Sequence, residues 1–160
     1  MKIESLDYDH WIAVADIYQQ GISDQIATFE TSVPSWEQWD SNHLTHCRFI
    51  AIINEEIVGW AALSPTSTRI AYKGVCEVSI YISNNYKGKL IGYQLLKQLI
   101  HCSEKHGIWT LQAVMFKKNF ASIRLHEKCG FRLVGFREKI AQQNETWIDT
   151  VIYERRSMLF

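Results

Sequence analysis

The chain has little of what marks several common protein classes. Only two of its 160 residues are proline, Pro34 and Pro65, and no repeat or low-complexity tract interrupts it. No linker and no disordered arm is expected. Neither sign of charge is in excess, with 17 Lys plus Arg against 17 Asp plus Glu. This excludes a global pull toward nucleic acid or anionic lipid, so any anion site must be local. No stretch approaches the ~20 apolar residues of a membrane span, and the segment from Met1 to Trp11 has no apolar signal core. A soluble, cytoplasmic protein with no membrane or nucleic-acid partner is expected. Of the four cysteines, Cys47, Cys76, Cys102 and Cys129, none forms a Cys-x-x-Cys pair, and none is spaced with histidines as zinc sites require. The expectation is reduced cysteines packed as small core residues, and no metal.

What is present suffices for one domain over residues 1–160, with a hydrophobic fraction of 47%. Lys2 to Ser5 reads as a short strand. Asp7 or Asp9 can cap a helix whose apolar face includes Trp11, Val14, Ala15, Ile17 and Tyr18. Residues 21–34 carry little periodicity and read as a loop. Ser35 and Gln38 have capping-box spacing for a short helix to about His46. Arg48 to Ile53 and Ile57 to Leu63 form strand-like runs around a turn at Asn54 to Glu56, hence an antiparallel hairpin. Val75 to Ile82 alternates and is rich in β-branched residues, as a central strand would be. From Lys89 to His106 the residues Gly92, Leu95, Leu96, Leu99, Ile100 and Ser103 share one helical face, and Gly107 offers a stop. Trp109 to Phe116 returns to strand character. Asn119 caps a second helix to Cys129, and two last strands, 132–141 and 146–155, flank a turn at Gln143-Asn144. The order β-α-α-β-β-β-α-β-α-β-β predicts an α/β domain with helices on both faces of a mixed sheet.

The most informative stretch is Asn85-Tyr-Lys-Gly-Lys-Leu-Ile-Gly-Tyr-Gln-Leu-Leu96. It follows a strand at once and opens a long amphipathic helix. Such a turn leaves backbone N–H groups unpaired at the positive end of the helix dipole, a ready site for a phosphate or diphosphate. Gly88 and Gly92 permit close approach, and Lys87 and Lys89 add charge locally.

This segment resembles the coenzyme A diphosphate loop of the GNAT superfamily of N-acetyltransferases, Gln/Arg-x-x-Gly-x-Gly/Ala. Lys87 takes the first place, Leu90 the first Gly place and Gly92 the last, with Ile91 between; Lys for Arg and Leu for Gly are departures. Glu77-Val-Ser-Ile-Tyr-Ile82 resembles the central strand that splays from its neighbour and offers backbone groups at Ile80, Tyr81 and Ile82 to the pantetheine arm. Asn119-Phe-Ala-Ser-Ile-Arg-Leu-His-Glu-Lys-Cys-Gly-Phe131 resembles the helix whose Asn approaches the thioester, with Ser122 at its Ala/Ser place. Within the superfamily the chain resembles the phosphinothricin and methionine sulfone/sulfoximine acetyltransferases, on Thr28-Phe-Glu30, Arg69-x-x-Tyr72, Glu77-Val-Ser-x-Tyr81, Leu125-His-Glu-Lys-x-Gly-Phe131 and Trp147-x-Asp149. The loop Ser64-Pro-Thr-Ser-Thr68 departs from the Trp often found there.

The resemblance implies acetyl-coenzyme A as co-substrate, the amine of a small amino-acid-like molecule as acceptor, direct attack through a tetrahedral intermediate, and a homodimer. An ammonium must lose a proton before it can attack a thioester. Glu77 is the first candidate base, because a carboxylate in an apolar strand is costly unless it is paired or used. His126 is the second catalytic candidate, as acid to the thiolate or as part of the base. Arg69 and Tyr72 are expected to hold the acceptor's acidic group, with Tyr81, Phe29 and Glu30 lining its pocket. Two other readings remain open on the residues alone: transfer to a different amine such as a polyamine or a protein N-terminus, and a coenzyme A-binding or sensor domain without chemistry.

Overall fold

The computed structural model describes residues 1–160. In chain order its elements are β1 (Lys2–Ser5), α1 (Trp11–Ser23), α2 (Trp36–Asn42), β2 (Phe49–Ile53), β3 (Glu56–Pro65), β4 (Val75–Ile82), α3 (Ile91–Lys105), β5 (Thr110–Phe116), α4 (Phe120–Lys128), β6 (Arg132–Gln143) and β7 (Thr146–Arg156). One seven-stranded sheet carries them in the order β1-β2-β3-β4-β5-β7-β6. Only the β4–β5 pair is parallel, because α3 crosses between those two strands and returns the chain to the same end.

Local chemistry explains the boundaries. Asn54-Glu55 and Asn144-Glu145 both sit at positive φ, the backbone of two-residue turns whose twist matches a hairpin. Ser35 accepts from the Gln38 amide while the Gln38 side chain accepts from the Ser35 amide, the expected capping box. That helix stops at Asn42 rather than near His46. His43 turns extended, stacks on Trp39 with ring centroids 4.1 Å apart, and hands the chain to a Leu44 N–H bond with the Leu63 carbonyl. α1 instead runs past its expected end at Gly21 to Ser23. A Cβ on Gly21 would stand 2.5 Å from the Tyr81 ring, so glycine admits that ring against the helix at a modest cost in propensity.

The two sheet faces are covered separately. On one, Val14 and Ile17 of α1 and Trp39 of α2 pack on Leu6, Ile50, Trp60 and Ala62. On the other, Leu95, Leu96 and Leu99 of α3 pack on Ala51, Val58, Ala61, Leu63, Cys76 and Leu111. A register shift after Ala51 leaves Val58 without a partner on β2, and this bulge moves Val58 to the α3 face. β3 is buried from Val58 through Leu63, as a strand covered on both sides must be.

The cysteines divide. Cys76 and Cys129 are buried free thiols, and burial raises the Cys76 thiol to about 11. Cys47 and Cys102 instead form a disulfide with Cα atoms 5.5 Å apart, which corrects the expectation of four reduced core cysteines. Both also have histidine company, His46 and His106. Chain spacing could not show this, because 55 residues separate the two sulfurs in sequence and only the docking of α3 beside the start of β2 joins them.

Candidate active site

β4 and β5 pair only from Val75↔Thr110 to Glu77↔Gln112. Beyond that point they diverge, while β4 continues on β3 to Ile82 and β5 continues on β7 to Phe116. Ser83 donates its N–H to the Val58 carbonyl on the β3 side, so strand alternation sends the amides of Ile80 and Ile82 the other way, into the gap. Two cavities open there. One of about 480 Å³ lies between the turn entering α3, the flank of α4 and the end of α1; the other, about 280 Å³, lies below it between β4, β5, β7 and the loop after α1. Ala27, Ile80, Tyr81, Asn119 and Ser122 line both, so the two form one continuous cleft.

The larger cavity is walled by backbone. No N–H from Lys87 to Tyr93 finds a hydrogen-bond acceptor within the chain, and Leu90, the N-cap of α3, makes no side-chain cap. Successive free amides at the start of a 15-residue helix form an anion site without requiring side-chain charge. Gly88 takes φ +78 and leaves open space where a side chain would stand, with nothing within 4 Å. Leu90 takes φ +61 with its side chain 65% exposed. Lys87 is ion-paired to Asp24. Arg124 and Lys128, one turn apart on α4, add two further cations to the wall.

The smaller cavity is furnished by side chains. Glu77 lines it half-buried and without a hydrogen-bonded or ionic partner. Burial raises its carboxyl above the ordinary glutamate value, opposed by the guanidinium of Arg137. His126 is 1% exposed. Its Nδ1 lies 2.8 Å from the Ser122 carbonyl oxygen, which can only accept, so Nδ1 carries the proton and Nε2 the lone pair. Nε2 has no partner, and neither does the buried Thr150 hydroxyl on the same cavity wall. Desolvation holds the imidazole below its ordinary pKa, and hence neutral near pH 7. The Tyr18 and Tyr81 rings stand 4.8 Å apart at the cavity edge, and burial raises both phenols. Phe29 packs on Phe116 at 4.4 Å, and the Gln143 side chain donates to the Thr28 carbonyl at 2.9 Å, pinning the loop that carries Phe29 and Glu30.

A profile described as the Acetyltransferase (GNAT) family matches residues 11–131. The Bacillus subtilis (strain 168) protein YwnH, which carries a provisional phosphinothricin acetyltransferase name, is 32% identical over 89% of this chain and 91% of its own. An L-methionine sulfoximine/L-methionine sulfone acetyltransferase of Pseudomonas paraeruginosa (strain DSM 24068 / PA7) is 31% identical over 59% of this chain and 55% of its own. Among solved structures, a phosphinothricin acetyltransferase from Sinorhizobium meliloti in complex with AcCoA superposes with a TM-score of 0.89 at 26% identity, covering 97% of this chain and 87% of that one. The chain belongs to the GNAT family of acetyltransferases. It is an acetyl-CoA-dependent N-acetyltransferase, which sets aside the reading as a binding domain without chemistry.

The acetyltransferase cleft gathers most of the residues singled out from sequence. Ile80, Tyr81, Ile82, Lys87, Gly88, Leu90, Ile91, Gly92, Asn119 and Ser122 line the larger cavity, and Glu77, His126, Phe29, Glu30 and Tyr81 line the smaller. Asn119 caps α4 by accepting from the Ser122 amide at 3.1 Å. Three residues stay outside. Lys89 lies over the Tyr86 ring, 4.5 Å from its centroid, and lines neither cavity. Arg69 and Tyr72 flank a 3-10 turn in the loop after β3, exposed and away from both linings, so the expected clamp on an acidic group is not assembled there. That turn, closed by the Tyr72 N–H to the Arg69 carbonyl, sits in the connection between β3 and β4. Thr150, Arg124 and Lys128 join the cleft without having been singled out from sequence. Arg124 and Lys128 had a signal, spacing of four on the helix that Asn119 caps. Thr150 had only its polarity in an apolar strand.

Proposed function

We propose that residues 1–160 act as one cytoplasmic N-acetyltransferase domain whose acceptor is the amine of a small amino-acid-like molecule of the phosphinothricin or methionine sulfone/sulfoximine type. The observation that carries this reading is the size and furnishing of the smaller cavity. About 280 Å³ lies at the lower end of small-molecule pockets, and its wall holds an unpaired carboxylate and an unpartnered imidazole nitrogen. The names of the relatives support the same substrate class.

The residues fit acetyl-coenzyme A. The free amides from Lys87 to Tyr93, with Arg124 and Lys128, would hold the diphosphate, and the Ile80 and Ile82 amides would bond the pantetheine arm. When bound, acetyl-coenzyme A would supply a thioester carbonyl as the electrophile. Glu77, raised by burial, accepts a proton from the acceptor ammonium, directly or through water. The His126 Nε2 lone pair makes that imidazole an acceptor before it is a donor. It would orient the amine, and the second proton, lost from the amine nitrogen as the C–N bond forms, could pass through Nε2 to the departing thiolate. A gap-facing amide of β4 would be available to stabilise negative charge on an acyl oxygen. A homodimer is supported by Leu133, Val134, Phe136 and Ile140, exposed apolar residues on the sheet-edge strand β6.

The test is release of free thiol from acetyl-coenzyme A by the purified protein. Phosphinothricin, methionine sulfone and methionine sulfoximine should each drive turnover, with a polyamine and a peptide amine far slower. Faster turnover with the polyamine or peptide would overturn the substrate class while leaving the reaction in place.

A further inference from the structure

The end of α3 farthest from the cleft carries a cluster that acetyl transfer does not use. Cys102, in the last turn of α3, and His106, its C-cap, lie one helical turn apart. His46 and Cys47 are adjacent in the segment entering β2, with Cys47 at φ +53 and 3% exposed. The fold brings the two pairs together. The His106 Nδ1 is 3.7 Å from Cys47 Sγ and 3.6 Å from Cys102 Sγ. The His46 and His106 rings stack with centroids 4.2 Å apart, and one ligand atom each from His46, Cys47 and His106 falls within a 4.8 Å group.

We propose that, when Cys47 and Cys102 are reduced, His46, Cys47, Cys102 and His106 bind one divalent ion of the zinc type, and that the Cys47–Cys102 disulfide is the metal-free form of the same site. Two thiolates and two imidazoles form the donor set that selects tetrahedral zinc over harder ions. Zinc–sulfur and zinc–nitrogen bonds of about 2.3 and 2.0 Å give a tetrahedron whose S···N edge is about 3.5 Å. The two Sγ–Nδ1 separations already match that edge. Completing the site requires the sulfurs to part and the His46 ring to turn toward them. The ion would also sit where the carbonyls ending α3 favour positive charge. His106 is exposed, so the ion can enter from solvent.

The two forms exclude each other chemically. A disulfide has no thiolate to donate. A phosphine or dithiol reductant must supply two electrons to break the S–S bond; both sulfurs then become thiols, and each releases one proton to solvent as it binds the ion. The His106 Nδ1 gives up its 2.9 Å bond to the Cys102 carbonyl, and its proton moves to Nε2.

Cobalt(II) is the probe, added anaerobically to the full chain in a phosphine reductant. The expected result is one cobalt per chain, with the ligand-field bands of a tetrahedral site and a thiolate-to-cobalt charge-transfer band, both lost when one equivalent of zinc is added. The oxidised wild-type chain, which needs no substitution and therefore no refolding control, should show neither band. In the reduced protein, Cys102→Ser and His106→Gln should each weaken cobalt binding about tenfold or more while acetyl-coenzyme A binding, measured in parallel as a check on folding, is kept. An octahedral aquo-type spectrum from the reduced chain, equal uptake by the oxidised chain, or bands unchanged in both variants would overturn the proposal.

Discussion

The two halves of the cleft are made of different material. The half proposed to hold the diphosphate is built from consecutive backbone amides over residues 87–93, with two cations added from α4. The half proposed to take the acceptor is built from side chains that are distant in sequence: Glu77 on β4, His126 on α4 and Thr150 on β7. A backbone site tolerates changes of side chain, because amides are present whatever residue stands there. This explains how Lys87 and Leu90 can replace the usual Arg and Gly without dismantling the turn. A side-chain site has no such tolerance. Substitutions in the acceptor half should therefore reduce kcat steeply, and those in the diphosphate half should change the KM for acetyl-coenzyme A gradually.

The largest effect expected is at Glu77. Glu77→Gln preserves shape and should lower kcat about 10²- to 10⁴-fold with no loss of thermal stability, read by thiol release and a melting curve. A variant within about twofold of wild type would remove the contrast between the halves. Next is Gly21→Ala. Its methyl would meet Tyr81 at 2.5 Å, so despite the better helix propensity of alanine it should destabilise by about 1–2 kcal/mol and lower kcat by displacing the ring at the cavity junction. Denaturant titration and turnover check both. Third, the Arg124→Ala/Lys128→Ala double variant should raise the KM for acetyl-coenzyme A about tenfold with kcat nearly unchanged.

The pH profile sharpens the same comparison. Glu77 is raised above 4.5, so the acid limb of kcat/KM should lie above the range of an exposed glutamate and disappear in Glu77→Gln. For stability the sign is the reverse: the native state holds this proton more tightly than the unfolded chain, so the Glu77 contribution declines as pH rises between the ordinary and raised values. His126 is lowered below 6.5, so the unfolded chain binds its proton first and stability falls as pH drops below that value. His126→Gln should flatten that decline in melting curves collected across pH. The smallest effect expected is at Leu90. Leu90→Gly relieves a left-handed conformation and should stabilise by about 0.5–1 kcal/mol while tightening acetyl-coenzyme A binding slightly, as calorimetry can show.

The difference between the halves also accounts for what is legible in the sequence. The Ser35 box and the Asn119 cap act over three or four residues, so spacing reveals them; the turn from Lys87 to Gly92 is equally contiguous, but it stands out only through the family resemblance of its surroundings. Glu77 and His126 are legible because each breaks a local pattern, a carboxylate in an apolar strand and an imidazole in a resemblance-bearing helix. Arg69 carries the right chemistry, but its place outside both cavity linings depends on how the loop after β3 folds. Thr150 enters the site through the β5–β7 ladder, where it pairs with Phe116, and nothing near it in sequence implies that neighbour.

Composition, periodicity and capping were enough, from the chain alone, to determine the order of seven strands and four helices, because those features depend on interactions between near neighbours. Only tertiary packing decided where β4 leaves β5, which side chains share a cavity, and that Cys47 and Cys102 meet beside two histidines. Each of those depends on distances between residues remote along the chain, and these become fixed only when α3 and α4 dock on the sheet.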